Sequence, residues 1–150
     1  MGDQIRYKTI ICGVTGSQVS QKAVLGASLL SKENDARLIL LYAVDVSFVK
    51  GMTVELPSGF AEEQMERLGR RILDEAEEIA RQEGMDCEKL MRRGPLVEVA
   101  AQVAAERGGD LLVLGLESRS FFEKVLSWSP VEEQVEELKK RTGMEVVVIR

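Results

Sequence analysis

Between Gly115 and Pro130 the chain reads GLESRSFFEKVLSWSP, in which a glycine closes an apolar run and a serine opens a new segment. This is the frame of a phosphate-binding loop, whose chemistry needs backbone N–H groups converging on an anion at a helix N-terminus. It also needs glycine wherever the main chain must come close to the ligand. Much of that chemistry is missing. Pro130 removes one N–H from the helix start. Ser129, with Glu132 three residues on, reads as a capping box that engages the serine oxygen with its own helix. Glu132 and Glu133 repel a polyphosphate, and the nearby cations Arg119 and Lys124 are offset by Glu117 and Glu123. The chain has no histidine, which removes Ser-His-Asp and Cys-His nucleophile systems and the commonest metal ligand. Cys12 and Cys87 lie too far apart in sequence for a zinc or disulfide-rich pattern and read as reduced, buried thiols. No catalytic or metal-ligating set emerges.

Five apolar runs alternate with amphipathic helical stretches, and they must position this loop. Thr9 to Val14 is a continuous apolar strand, the pattern of a parallel sheet covered on both faces. It stops at Thr15, Gly16 and Ser17, where Ser17 can cap a helix whose apolar positions are Val19, Ala23, Ala27 and Leu30. Asn34 and Asp35 close that helix, and Arg37 to Val44 forms a second buried strand. Asp45 to Gly59 is a long connection of the kind used for lids, with apolar residues that need a packing partner. Ala61 to Glu83 places Met65, Leu68, Ile72, Ala76 and Ile79 on one helical face. Its other faces carry the i,i+4 pairs Glu63 with Arg67, Glu66 with Arg70 and Glu77 with Arg81. Gly84 suits the position after that helix, and Asp86 to Met91 makes a weaker third strand. Gly94 and Pro95 open a helix that buries Val99, Ala100, Val103 and Ala104 and ends at Gly108 and Gly109. Asp110 to Gly115 is the fourth strand. Ser129 to Gly143 holds the last helix, with Val131, Val135 and Leu138 inward, and Glu145 to Ile149 is the fifth strand. The expected class is therefore α/β, an open, mostly parallel sheet.

A chain of 150 residues buries about two thirds of its unfolded surface, so one domain over residues 1–150 with one good core is expected. At 45% hydrophobic and 30% charged residues the composition is that of a soluble globular protein. The longest apolar run, Leu38 to Val44, is too short to cross a bilayer, and the N-terminus lacks a signal-peptide core, so a cytoplasmic location is expected. A net charge of −5 with interspersed signs offers no basic face for nucleic acid.

The opening KTIICGVTGSQVSQKAV, the RRGPLVEVA turn, DLLVLG followed by a loop and a serine-capped helix, and the terminal EVVVIR together resemble the universal stress protein family. The resemblance covers nearly the whole chain. It implies a Rossmann-like, adenine nucleotide alpha hydrolase-like fold with helices on both faces and strand order 3-2-1-4-5. It also implies a homodimer and, in some members, an adenine nucleotide held across the first and fourth strands. Nucleotide-binding members carry a glycine, two residues, a second glycine, nine residues, then a glycine and a serine or threonine. Laid on this chain, those positions are Gly115, Ser118, Trp128 and Ser129, so only the first and last are kept. Binders also tend to have an aspartate at the end of the first strand, where this chain has Thr15. The candidate nucleotide site that the resemblance implies is Gly13, Thr15, Ala43, Gly115, Ser118, Arg119, Trp128 and Ser129, in degenerate form. A Cβ at Ser118 and an indole at Trp128 crowd the space a phosphate needs.

Phe121, Phe122, Val125, Leu126 and Trp128 make the loop unusually apolar for a connection. They can fill the vacated pocket, form a dimer contact, or present Phe121, Phe122 and Trp128 to a protein partner. The last strand, Glu145 to Ile149, has no proline or charge inside its run, and antiparallel pairing of two such edges gives a closed twofold dimer. The leading expectation is a noncatalytic homodimeric adaptor in stress response, with weak or absent ATP binding and no cofactor required. Behind it stand a switch that binds ATP or another adenine nucleotide, and then a nucleotide-acting enzyme using a carboxylate and Mg²⁺.

Overall fold

The computed structural model describes residues 6–46, 55–115 and 131–150. Its elements run β1 (Thr9–Gly13), α1 (Gln18–Asn34), β2 (Arg37–Val44), α2 (Phe60–Gln82), β3 (Glu88–Arg93), α3 (Leu96–Arg107), β4 (Leu111–Gly115), α4 (Val131–Thr142) and β5 (Glu145–Ile149). The strands form one five-stranded sheet in the order β3-β2-β1-β4-β5, and each neighbouring pair is parallel. The sequence expectation of a 3-2-1-4-5 α/β sheet holds.

Strand residues alternate between two cores because successive side chains point to opposite faces. Ile10, Cys12, Leu38, Leu40, Leu111 and Val113 face α1 and α2, where they meet Ala23, Val24, Ile72 and Ala76. Ile11, Ile39, Leu41, Leu112 and Leu114 face the other way, onto Val99, Ala100 and Val103 of α3 and Leu138 of α4. With both faces covered, β1 and β4 are buried along their whole length. Asp110 secures the lower end of the sheet, its carboxylate accepting from the N–H groups of Lys8 at 2.8 Å and Thr9 at 3.0 Å.

Helix ends follow the local chemistry of the sequence. Ser17 caps α1, its Oγ accepting from Ser20 N at 3.0 Å, and Asp35 ends the helix in the left-handed region at φ 54°. Two helical faces differ from the expectation. The buried side of α1 is Ser20, Ala23, Val24, Ala27, Ser28 and Ser31, whereas Val19 and Leu30 are only half-buried. Small residues are required there because α1 lies close on the sheet. On α2, Leu68 is 51% exposed and Gly69 is buried in its place. The third strand is displaced by two residues, from Asp86–Met91 to Glu88–Arg93, and of the expected pairs Glu66 bonds to Arg93 rather than to Arg70.

Both edges of the sheet are short strands, but their dress differs. Every charged residue of β3 is engaged: Glu88 with Arg37 and Arg107, Lys89 with Asp74 and Glu77, Arg92 with Glu106, and Arg93 with Glu66. On β5, Val147, Val148 and Ile149 are half-buried, and Tyr7 donates its hydroxyl to Glu145 at the strand's start. Among the described residues, no helix is long and apolar enough to cross a membrane.

Candidate functional site

From β1 the chain winds outward through β2 to β3, then crosses back to β4 and winds the other way to β5. The reversal falls between β1 and β4, and ligands of open α/β sheets bind outside the carboxyl ends of strands at such a point. A cavity of about 250 Å³ lies there. Gly13, Val14 and Thr15 line it from β1 and the following turn, and Leu114 and Gly115 from β4. Tyr42, Ala43 and Asp45 enter from the end of β2, Met65 from α2, and Leu96 from the start of α3.

Three glycines set the shape of this end of the sheet. A Cβ at Gly13 would lie 2.7 Å from Leu114 Cδ2 and 3.6 Å from Leu96 Cδ1, so its absence lets the two leucines close over the strand. Gly16 has φ 87°, and a Cβ there would meet Ile72 Cδ1 and Cγ1 at 2.9 Å, which pins the β1–α1 turn beneath α2. Gly115 is tighter still. Its Cβ would lie 2.5 Å from the Val19 carbonyl oxygen, 2.7 Å from the Val19 carbonyl carbon and 2.9 Å from Ser20 Cα. The glycine that the sequence suggests for a phosphate cradle thus has a packing reason of its own, the close approach of α1 to β4.

Hydrogen bonds within the β1–α1 turn use its polar groups locally. Thr15 N donates to Ser20 Oγ at 2.9 Å and Thr15 Oγ1 to Ser17 Oγ at 3.3 Å, while Gln21 N donates to Ser17 O at 3.0 Å. Across the cavity, Tyr42 is 6% exposed, and burial raises its phenol above the ordinary tyrosine value. Its ring fits because α2 has a glycine there: a Cβ at Gly69 would lie 2.5 Å from Tyr42 Cδ1 and 2.9 Å from Met91 Sδ. The cations nearest in register, Arg92 and Arg93 beside Ala43 and Val44, are both taken. Arg92 donates to both Glu106 oxygens at 3.2 and 2.8 Å, and Arg93 Nε donates to Glu66 at 2.7 Å. Cys12, wholly buried in β1, has its thiol pushed up to about 12 by burial.

Of the sequence-based candidates, Gly13, Thr15, Ala43 and Gly115 are brought together on this cavity. Ser118, Arg119, Trp128 and Ser129, and with them Phe121 and Phe122, lie outside the described residues. The sequence reading missed Val14, Tyr42, Asp45, Met65, Leu96 and Leu114. Asp45 had a usable signal, an acid directly after a buried strand at the ligand-binding end of a parallel sheet. Leu96, which immediately follows the Gly94 and Pro95 turn, had none beyond its place in the chain.

The profile of the Universal stress protein family matches residues 6–146. The chain belongs to the universal stress protein family. Among relatives within it, the universal stress protein MJ0531 of Methanocaldococcus jannaschii is 29% identical over 126 residues, spanning 84% of this chain and 74% of that protein. The structure of the universal stress protein UspA from Lactobacillus plantarum superposes with a TM-score of 0.73 at 19% identity, covering 98% of this chain and 100% of that one. A universal stress protein crystallised in complex with cAMP has a TM-score of 0.65 at 24% identity, with 97% and 98% of the two chains covered. These likenesses carry the universal stress protein fold.

Proposed function

We propose that this universal stress protein is a noncatalytic, homodimeric adaptor in stress response that binds ATP weakly or not at all. An adenine-type base, when bound, sits in the cavity between β1 and β4, and the phosphates run toward the loop after Gly115. The make-up of the cavity supports the reading. At about 250 Å³ it falls below the roughly 300–1,000 Å³ of ordinary small-molecule sites. Among the described residues its lining is largely apolar, with Asp45 as the single carboxylate. A lining with a single carboxylate and no second acid among the described residues falls short of the paired acids of an acid–base site or a Mg²⁺-binding phosphate clamp. The bulk at Ser118 and Trp128, where nucleotide-binding members keep glycine, acts against a triphosphate in the same direction. The adaptor role assigns Phe121, Phe122 and Trp128 to a protein partner, and the dimer pairs the β5 edges of two copies.

Calorimetric titration of the full chain with ATP and magnesium tests the reading, with heats too small to fit in the micromolar range as the expected result. Micromolar affinity overturns it. Sedimentation that finds only a monomer at the same concentrations removes the dimer.

A second reading, a nucleotide-dependent switch, draws on the convergence of Gly13, Thr15, Ala43 and Gly115 on one cavity. It expects an adenine compound to travel with the protein through purification. Denaturing extraction followed by chromatography decides between the two.

A further inference from the structure

We propose that the Tyr42 hydroxyl is the polar anchor of the cavity between β1 and β4, and that it holds the edge of a flat, uncharged, fused-ring heterocycle. The inference rests on the reading that a base occupies this cavity, and it names the side chain that recognises the base. Tyr42 is 6% exposed, and a phenol buried so deeply ordinarily finds a hydrogen-bond partner. Here its hydroxyl has none among the described residues. Ser31 Oγ is the one fully sealed side-chain atom among them without a partner, so the Tyr42 hydroxyl opens on accessible space, and the space that Tyr42 lines is this cavity. The other polar side chains of the lining are occupied: Thr15 Oγ1 donates to Ser17 Oγ at 3.3 Å, and Asp45 has an interaction of its own. Packing does not account for the hydroxyl. To seat the ring, α2 gives up a side chain at Gly69, where a Cβ would lie 2.5 Å from Tyr42 Cδ1 and 2.6 Å from Cε1, although glycine inside a helix is unfavourable. Phenylalanine would use the same space without bringing an unpaired polar group into it. Burial raises the phenol above its ordinary value, so it stays uncharged at neutral pH and can donate to a ring nitrogen or accept from an amino group. Val14, Met65, Leu96 and Leu114 supply apolar walls. An apolar cavity of about 150 Å³ holds a benzene ring, so one of about 250 Å³ suits a fused-ring base.

The test titrates adenine and adenosine into the full chain, wild type and Tyr42→Phe, by calorimetry, and follows the ring signals of isotope-labelled tyrosine by NMR. The chain has two tyrosines, and Tyr7, which precedes β1 at the opposite end of the sheet, is the internal control. Adenine is expected to move the Tyr42 signal and leave that of Tyr7 in place. Tyr42→Phe is expected to weaken both ligands about tenfold, the loss that follows when a hydrogen bond goes and the base edge is left unpaired in an apolar site. The same variant is expected to melt at or above the wild-type temperature, because the hydroxyl it removes has no partner among the described residues. Equal affinities for wild type and variant, with the Tyr42 signal still moved, overturn the inference and leave the base in the cavity. A variant that melts well below the wild type also overturns it, since the hydroxyl then serves the fold. Binding that leaves the Tyr42 signal unmoved, or no binding by either ligand, removes the base from the cavity, and the inference falls with that placement.

Discussion

Gly115→Ala isolates the packing role of the glycine that begins the loop. The added methyl would meet three backbone atoms of α1, at 2.5, 2.7 and 2.9 Å, and none of them is the far end of a flexible side chain. Relief therefore requires the first turn of α1 to move off β4, a turn that also carries the Ser17 cap and the Thr15 bond. Overpacking of this kind costs about 1–3 kcal/mol, and a clash with main-chain atoms, which cannot swing away, puts the expectation near about 3 kcal/mol. At about 2–4 °C per kcal/mol for a chain of this size, the melting temperature should fall by about 6–12 °C. Gly26→Ala is the matched control in the same helix, because nothing lies within 4 Å of the position its Cβ would take. It should gain about 0.5–1 kcal/mol, since glycine inside a helix is less favourable than alanine by that much. Thermal and urea unfolding followed by circular dichroism reads both variants. A Gly115→Ala protein that unfolds with the wild type, beside a Gly26→Ala protein that behaves as expected, refutes the packing argument.

Three further outcomes are expected. Ser17→Ala removes the oxygen that accepts from Ser20 N and should lower stability by about 1 kcal/mol in urea titrations. In the native protein a maleimide should modify Cys87, which is partly exposed, well before Cys12, whose thiol is wholly buried and pushed up to about 12; mass spectrometry of timed samples settles the order. Glu88 is held below the ordinary glutamate value first by its hydrogen bonds from Arg107, at 3.0 and 3.1 Å, and then by the neighbouring arginine charges. A carboxyl lowered in the folded state contributes stability above its unfolded value, about 4.3, and loses it as pH falls through the folded value. Melts across that acid range should therefore be flatter for Glu88→Gln than for wild type, and coincident slopes would count against the ion pair.

The sheet was legible because its inner strands are short, unbroken apolar runs rich in β-branched residues that alternate with helical stretches, the pattern of a doubly covered parallel sheet. The runs Thr9 to Val14 and Arg37 to Val44 needed no tertiary information to be read as strands. Helical faces were less legible where packing distance outweighs hydrophobicity. Ser20, Ser28 and Ser31 are wholly buried on α1, and Ser31 Oγ has no hydrogen-bond partner among the described residues, which no hydropathy pattern announces. Gly69 displaced Leu68 from the core of α2 because Tyr42 needs room, a fact that lies in the contact and not in the helix. The strand β3 shifted because charged residues that look like a loop are held in extended form by partners on α2 and α3. Gly13, Thr15, Ala43 and Gly115, named through the family resemblance, share one cavity because strand ends converge at a reversal point. Tyr42, Met65 and Leu96 could not be read, since their place on the cavity depends on how α2 and α3 seat on the sheet.

The contrast between the two rims of the sheet bears on how large any assembly can grow. With β3 laced by ion pairs on both sides, a second chain would have to strip those partners away before adding a strand there. After Glu145, the β5 rim consists of the apolar residues Val146 to Ile149. If two copies pair along that rim, as proposed, neither keeps a second unlaced sheet edge among the described residues, so accretion would halt at a pair instead of running on as a ribbon.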